Sequence, residues 1–332
     1  MARACRADWR QIGAALRARP GAAAAMEAGM AGPVEVILHV GAHRTGTTSL
    51  QSWLLQNADA LEGAGIAVWG PDRTRGGLFA GLMKRPDAVT LADDMLAQRS
   101  AARIRDELDR LAGAGIRQLI VSEENMIGTM PICLDHATIY PDARARLDRI
   151  AAAFDGAVTG VGLALRSYDD WWASVLATAA GPGVAQTDVL HRLAGHPRGW
   201  QRIIATLAEA FPDARRIVWP FEALVGRHGA QLRLLTGGAA LPPGLYEERR
   251  ARNARLRALP GGGVADAGAP VPFAPAQRAA LRARYEQDLA WLRAGVAGVI
   301  YTETVAESPG TQAGTAAEEE GPSHDEQKRG LG

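Results

Sequence analysis

VEVILHVGAHRTGTTSLQ, residues Val34 to Gln51, decides how the rest of the chain is read. It opens with Val34 to Val40, a run rich in β-branched residues and about the length of one buried strand. Gly41 breaks the run, and a second glycine, Gly46, follows five residues later. Thr47, Thr48 and Ser49 come next, ahead of apolar residues at helical spacing, Leu50, Trp53, Leu54 and Leu61. Strand, glycine loop and helix start together build an anion cradle. Glycines let backbone N–H groups turn inward, and the helix start adds unpaired donors and the positive end of its dipole. The stretch predicts a loop that holds phosphate or sulfate.

The spacing approaches the nucleotide-binding pattern G-x-x-x-x-G-K-[ST], with one departure. Thr47 stands where that pattern has lysine, and the cationic residue lies three places earlier, at Arg44. Kinases and ATPases place that lysine on the β- and γ-phosphates, so its absence counts against a triphosphate substrate. In the form GAHRTGTTSLQ, residues Gly41 to Gln51, the loop instead resembles the 5′-phosphosulfate loop of the sulfotransferases, in their bacterial and carbohydrate-type branch. That family takes its sulfuryl group from 3′-phosphoadenosine-5′-phosphosulfate (PAPS). The resemblance implies that Gly41, Arg44, Thr45, Gly46, Thr47, Thr48 and Ser49 bind this cosubstrate. Backbone N–H groups would cradle the phosphosulfate, and Arg44 would stabilise charge on the bridging oxygen. An ordinary α/β domain with a glycine-rich turn is the plainer reading of the same residues.

The whole chain has 332 residues, enough for one large α/β domain, and a formal net charge of +1. So even a balance implies no nucleic-acid or membrane partner. From Glu303 onward, however, seven acidic residues face two basic ones, which leaves the body at +6. The two cysteines, Cys5 and Cys133, have no pair spacing, so neither a disulfide framework nor a metal site is expected. No apolar stretch reaches the ~20 residues of a membrane span, and the first residues lack a signal-peptide core. A cytoplasmic protein is the expectation.

Taken in order, residues 1–33 read as an extension, an Arg-rich amphipathic helix followed by a linker. Residues 34–302 alternate strand and helix signals. Strands are expected at Gly65–Trp69, Arg117–Val121, Val158–Leu165 and Arg216–Phe221, and helices at Asp93–Leu111, Pro141–Phe154, Gly199–Phe211, Glu222–Leu235 and Ala276–Trp291. This order argues for parallel βαβ units. The fold class is therefore α/β, a P-loop-like three-layer sandwich with a central parallel sheet and helices on both faces. Asp72 to Lys84 reads as a loop near a site mouth, and Leu241 to Pro275 as a loose Arg-, Gly- and Pro-rich segment. Residues 303–332 read as a disordered acidic tail.

Two further constellations carry chemistry. Arg166 ends one strand signal, and Ser174 follows eight residues later, inside the next helix, where Asp169 or Asp170 can cap. An arginine fork and a hydroxyl so placed can converge on one anion. The pair resembles the family's 3′-phosphate site, with Tyr168 where the family has proline. Ser122-Glu123-Glu124-Asn125 ends another strand. There the family pattern puts the general base on Glu124, with Glu123 facing the other side. A Mg²⁺-binding carboxylate is the competing reading, weakened because Ser122 directly follows the apolar run. His43 fits a loop residue beside the transferred group, whereas His39 fits a packed strand residue. Near Asn253, a weak resemblance adds Arg252 and Asn253 to the cosubstrate contacts, with Arg250 and Arg255 beside them; a solvated helix face explains these arginines equally well.

These expectations converge on a PAPS-dependent sulfotransferase without a metal. The acceptor would be a carbohydrate, lipid headgroup or small molecule with a hydroxyl or amine, and Arg44, Glu124 and His43 would be the catalytic group. The residues leave open a P-loop kinase or NTPase, and a non-catalytic nucleotide-binding relic.

Overall fold

In the computed structural model the opening run forms β1 (Glu35–His39), and it lies inside the sheet rather than at an edge. The structure describes residues 32–179, 187–195, 199–238, 241–245 and 272–304, together with the backbone of residues 256–258 and 264–266. β2 (Ile66–Trp69), β3 (Gln118–Ser122), β4 (Val158–Leu165) and β5 (Arg215–Pro220) join β1 in one sheet. With β8 (Val299–Tyr301) it has six strands, ordered β2-β3-β1-β4-β5-β8 and paired in parallel throughout. β6 (Leu256–Ala258) and β7 (Val264–Asp266) form a separate antiparallel pair.

Alternation along the strands decides which helices cover which face. Val36, Leu38, Leu119, Val121, Leu163 and Val218 point to one side. They pack in one core with Ile104 of α2 (Leu91–Gly113), Leu147 of α3 (Ala143–Phe154), Val175 of α4 (Tyr168–Ala179), Ile203 of α5 (Trp200–Ala210) and Leu281 of α7 (Pro275–Arg293). Ile37, Ile120, Ala164, Ile217 and Trp219 point the other way. Their core partners are Leu50 and Leu54 of α1 (Thr47–Gln56) and Leu232 and Leu235 of α6 (His228–Leu235). A strand buried on both faces reads as a continuous apolar run, which is why β1 and β4 were legible in the sequence. On the α6 side β4 carries Gly160 and Gly162, and a Cβ on Gly162 would overlap Leu235. The absent side chains let α6 lie close against the sheet.

β1 has β3 on one side and β4 on the other, so the chain reverses its direction of travel across the sheet at β1. In open parallel sheets the crevice beyond the carboxyl ends at such a reversal collects ligands. His39 and Ser122 end β1 and β3 side by side, Gly162 of β4 pairs with His39 from the other side, and the loop after β1 begins there.

Some elements differ from the sequence reading. The helix expected to run to Leu61 breaks at Asn57, whose side-chain amide donates to the Trp53 carbonyl at 2.8 Å, and a second short helix follows at Ala58–Gly63. The helix expected over Glu222–Leu235 divides into Phe221–Leu224 and α6, with Gly226 at φ +73 between them. Asp72 to Lys84 is not plain loop; short helical turns occupy Pro71–Arg73 and Thr74–Leu78. Within Leu241–Pro275, β6 and β7 form strands where no periodicity announced them. Residues 1–31 and 305–332 lie outside the described residues, as do Arg250, Arg252, Asn253 and Arg255. No described helix is long and apolar enough to cross a membrane.

Candidate functional site

The loop after β1 is sewn to its neighbours by backbone bonds. Val40 N–H donates to the Gly162 carbonyl at 3.0 Å, and Ala42 N–H to the Ala164 carbonyl at 3.1 Å. The Gly41 carbonyl accepts from Ala164 N–H at 2.6 Å. Gly41 has φ +98, and a Cβ there would lie 3.1 Å from the Glu124 Cβ and 3.2 Å from the His43 nitrogen. Only glycine fits both the backbone and the space. Arg44 (φ +63) and Gly46 (φ +78) also take left-handed conformations, and together they turn the chain into α1. Gly46 is the N-cap residue and no side chain caps α1, so its first-turn amides are left to meet a ligand.

Side chains in the loop mostly support it. The Thr45 and Thr47 hydroxyls both donate to the Ala42 carbonyl, at 2.6 and 3.0 Å. Ser49 is buried, and its hydroxyl bonds His228 Nε2 at 3.0 Å. Thr48 is exposed, and Arg44 is half-exposed. Of the loop residues expected to bind the cosubstrate, Thr45, Thr47 and Ser49 thus have side chains turned into the protein. A ligand would meet the loop's backbone, Thr48 and Arg44.

Arg44, Arg166 and Ser174 do come together. Arg44 Nε donates to Ser174 Oγ at 2.7 Å, and Arg166 Nη1 donates to the Arg44 carbonyl at 2.8 Å. Arg166 is 3% exposed, and its guanidinium lies 5.1 Å from the Phe221 ring centre, a cation–π contact. Its own carbonyl accepts from the Trp200 indole at 2.9 Å. The result is two guanidinium groups and a hydroxyl beside an uncapped helix start, a suitable setting for a dianion. In this conformation Arg44 stands with the Arg166–Ser174 pair. The expected cap on α4 takes another form: Ser167 precedes the helix, its hydroxyl bonds Asp170 Oδ2 at 3.1 Å, and its carbonyl accepts from Trp171 N–H at 2.8 Å. Asp169 is fully buried and paired with Arg278 and Arg282 of α7.

The carboxylates after β3 depart from the expected opposite orientation, because the strand ends at Ser122 and a short 3-10 turn begins at Glu124. Both reach Arg75: its Nη2 lies 2.8 Å from Glu123 Oε1 and 2.8 Å from Glu124 Oε1. Glu123 has no exposed side-chain surface and also accepts from Thr74 Oγ1 at 2.7 Å, Arg75 Nε at 2.9 Å and Asn125 N–H at 3.0 Å. A carboxylate so enclosed is a structural anchor. Glu124 keeps 15% of its side chain exposed and accepts from Gln51 Nε2 at 2.9 Å. Burial works to raise its pKa, yet its own backbone N–H, the Gln51 amide and Arg75 together hold it below the ordinary carboxylate range. Glu124 is ionised at neutral pH and stands against Gly41.

The two histidines stand in different settings. His39 is buried, stacks on Trp219 with ring centres 5.9 Å apart, and bonds Ser122 Oγ at 2.8 Å. Burial lowers its pKa to about 4, so it is a neutral packing residue. His43 lies in the loop, bonded to Tyr140 and Asn125. Arg75, Tyr140 and Phe221 carry no signal of a site in the sequence. Gln51 has one, since it sits one helical turn from Thr47 at the end of the loop motif. No family model and no curated protein matches the chain.

Proposed function

We propose that the protein transfers a sulfuryl group from PAPS to the hydroxyl or amine of a carbohydrate, lipid headgroup or small molecule. One observation carries the reading. A glycine loop at the sheet's reversal point leads into an uncapped helix, with Arg44, Arg166 and Ser174 gathered on it and an ionised glutamate, Glu124, against Gly41.

The backbone of Gly41 to Thr48 and the first turn of α1 receive the 5′-phosphosulfate, where N–H donors stabilise the charge on its oxygens. Arg166 and Ser174 receive the 3′-phosphate. Arg44 shares Ser174 before the nucleotide arrives, and it carries positive charge between the two anionic ends. In the reaction the acceptor oxygen or nitrogen bonds to sulfur as the sulfur's bond to the bridging oxygen breaks. Adenosine 3′,5′-bisphosphate leaves, and the acceptor proton goes to Glu124. At position 47 a triphosphate site would have a long cationic side chain; here Thr47 is folded back onto Ala42.

Incubation with radiolabelled PAPS and a panel of hydroxyl and amine acceptors tests the reading. Label should pass to an acceptor in the wild type and not in Glu124→Gln. Transfer that persists undiminished in Glu124→Gln would remove the glutamate from the mechanism.

A further inference from the structure

Every polar atom of His43 is engaged. Its backbone N–H donates to the Tyr140 hydroxyl at 2.9 Å, and its carbonyl accepts from the Trp171 indole at 2.8 Å. Ring Nδ1 lies 3.1 Å from the Tyr140 oxygen, and Nε2 lies 3.2 Å from Asn125 Oδ1. These contacts do not permit either tautomer equally. A carbonyl oxygen only accepts, so the partner of Asn125 Oδ1 must carry a proton. With that proton on Nε2 of a neutral ring, Nδ1 has a lone pair, and the Tyr140 O–H donates to it. The same tyrosine oxygen takes the His43 backbone N–H on a lone pair, as a hydroxyl can.

We propose that Tyr140 and Asn125 are positioning residues for His43, Asn125 placing the ring proton on Nε2 and Tyr140 keeping the ring neutral, so that no lone pair of His43 is left to accept a proton and Glu124 alone does so. The assignment of the tautomer stands on the Asn125 amide presenting Oδ1 to the ring; its consequence for catalysis rests on the sulfuryl-transfer reading.

The surroundings agree. Burial lowers the His43 pKa and keeps the Tyr140 phenol protonated well above the ordinary tyrosine range, so the phenol proton is always there to donate. The charged groups that face His43 are Glu124, Glu123 and Arg75. Both glutamates and the Asn125 hydrogen bond favour a cationic ring, and Arg75 opposes it. A cationic His43 would pair with Glu124 and weaken it as a base. The donor from Tyr140 to Nδ1 works against that charge, because a hydrogen bond to the neutral form disfavours protonation.

Tyr140 is itself held firmly. It is fully buried, its N–H donates to Cys133 Sγ at 3.2 Å, and Trp171 meets its ring edge-on at 5.7 Å. Gly128 makes room: a Cβ there would come within 3.1 Å of the tyrosine ring. So firmly placed a hydroxyl can keep its donor on Nδ1 and the ring neutral.

The test is a long-range ¹H–¹⁵N correlation spectrum of the full chain with ¹⁵N-labelled histidine, at neutral pH and without nucleotide. Seven histidines contribute, and His43→Gln identifies the signal of interest. The expected pattern has a protonated-type shift on Nε2 and an unprotonated-type shift on Nδ1. A proton on Nδ1, or on both nitrogens, overturns the proposal. Tyr140→Phe should raise the His43 pKa and lower kcat about tenfold with KM for PAPS kept, the scale of one lost hydrogen bond. An unmoved His43 pKa in a folded Tyr140→Phe also overturns it. Asn125→Asp gives a second reading, with a higher His43 pKa and the neutral form still protonated on Nε2; a switch to Nδ1 contradicts the assignment. Since the tautomer is read without nucleotide, a protein that shows it but transfers no sulfuryl group refutes only the proposed function. One that transfers the group with the other tautomer refutes only this proposal.

Discussion

Arg75→Gln is the most informative single substitution outside the loop. Arg75 holds Glu123 through Nε and Nη2 and Glu124 through Nη2. Without it, Glu123 stays fully buried, with the Thr74 hydroxyl and the Asn125 N–H as its remaining donors. Breaking a buried ion pair costs about 3–5 kcal/mol. Arg75 is 46% exposed, and solvent screening discounts the figure to roughly 2–3 kcal/mol. At about 2–4 °C per kcal/mol for domains of roughly 150–250 residues, and less for a longer chain, the melting temperature should fall by at most roughly 4–12 °C. The pH dependence supplies a second check. Arg75 is among the groups that hold the Glu124 pKa down. A depressed carboxylate contributes stability above its unfolded pKa and loses it as pH falls through the folded one. Removing Arg75 should therefore raise the Glu124 pKa, shrink that contribution and move the acid limb of the kcat/KM profile to higher pH. Thermal unfolding across pH and a pH–rate profile measure both. An unchanged melting temperature together with an unmoved acid limb would refute the account of this cluster.

Other substitutions separate the parts of the site. Glu124→Gln should cost roughly 10²–10⁴-fold in kcat with nucleotide affinity kept, whereas Glu123→Gln should act mainly on unfolding free energy; the reverse, read by kinetics and denaturation, would exchange their roles. Arg166→Gln should weaken adenosine 3′,5′-bisphosphate by about 1.5–3 kcal/mol and hardly affect adenosine 5′-phosphate in calorimetry; equal losses would remove the 3′-phosphate from this arginine. Gly41→Ala forces a Cβ to 3.1 Å from Glu124 at φ +98. It should destabilise the fold by about 1–3 kcal/mol in denaturant titration, and a neutral effect would show that the loop relaxes freely.

The parts of this architecture legible in the sequence are those with an imposed period or an obligatory backbone. β1, β4 and the glycines of the loop follow from burial on both faces and from φ angles that glycine accommodates. The meeting of Arg44, Arg166 and Ser174 was readable in part, since Arg166 and Ser174 share one strand–helix junction. Their junction with Arg44 spans more than a hundred residues of sequence and exists only once β4 pairs with β1. Arg75 and Tyr140 give no signal, because Arg75 lies in a short helical turn and Tyr140 in a loop, and each acquires its role from residues dozens of positions away. The orientation of Glu123 and Glu124 departs from strand alternation for a local reason: the strand ends at Ser122, and the 3-10 turn brings both carboxylates to one guanidinium. β8 and the β6–β7 pair have three residues per strand, too few for a period to show.

Calorimetric titration of the wild-type protein with adenosine 3′,5′-bisphosphate and with ATP, each with and without Mg²⁺, tests the central claim most directly. The loop without its lysine and the Arg44–Arg166–Ser174 group lead to tight binding of the bisphosphate that is indifferent to Mg²⁺, and to much weaker binding of ATP. Preferential binding of Mg²⁺–ATP would contradict the account and return the loop to the kinases and ATPases.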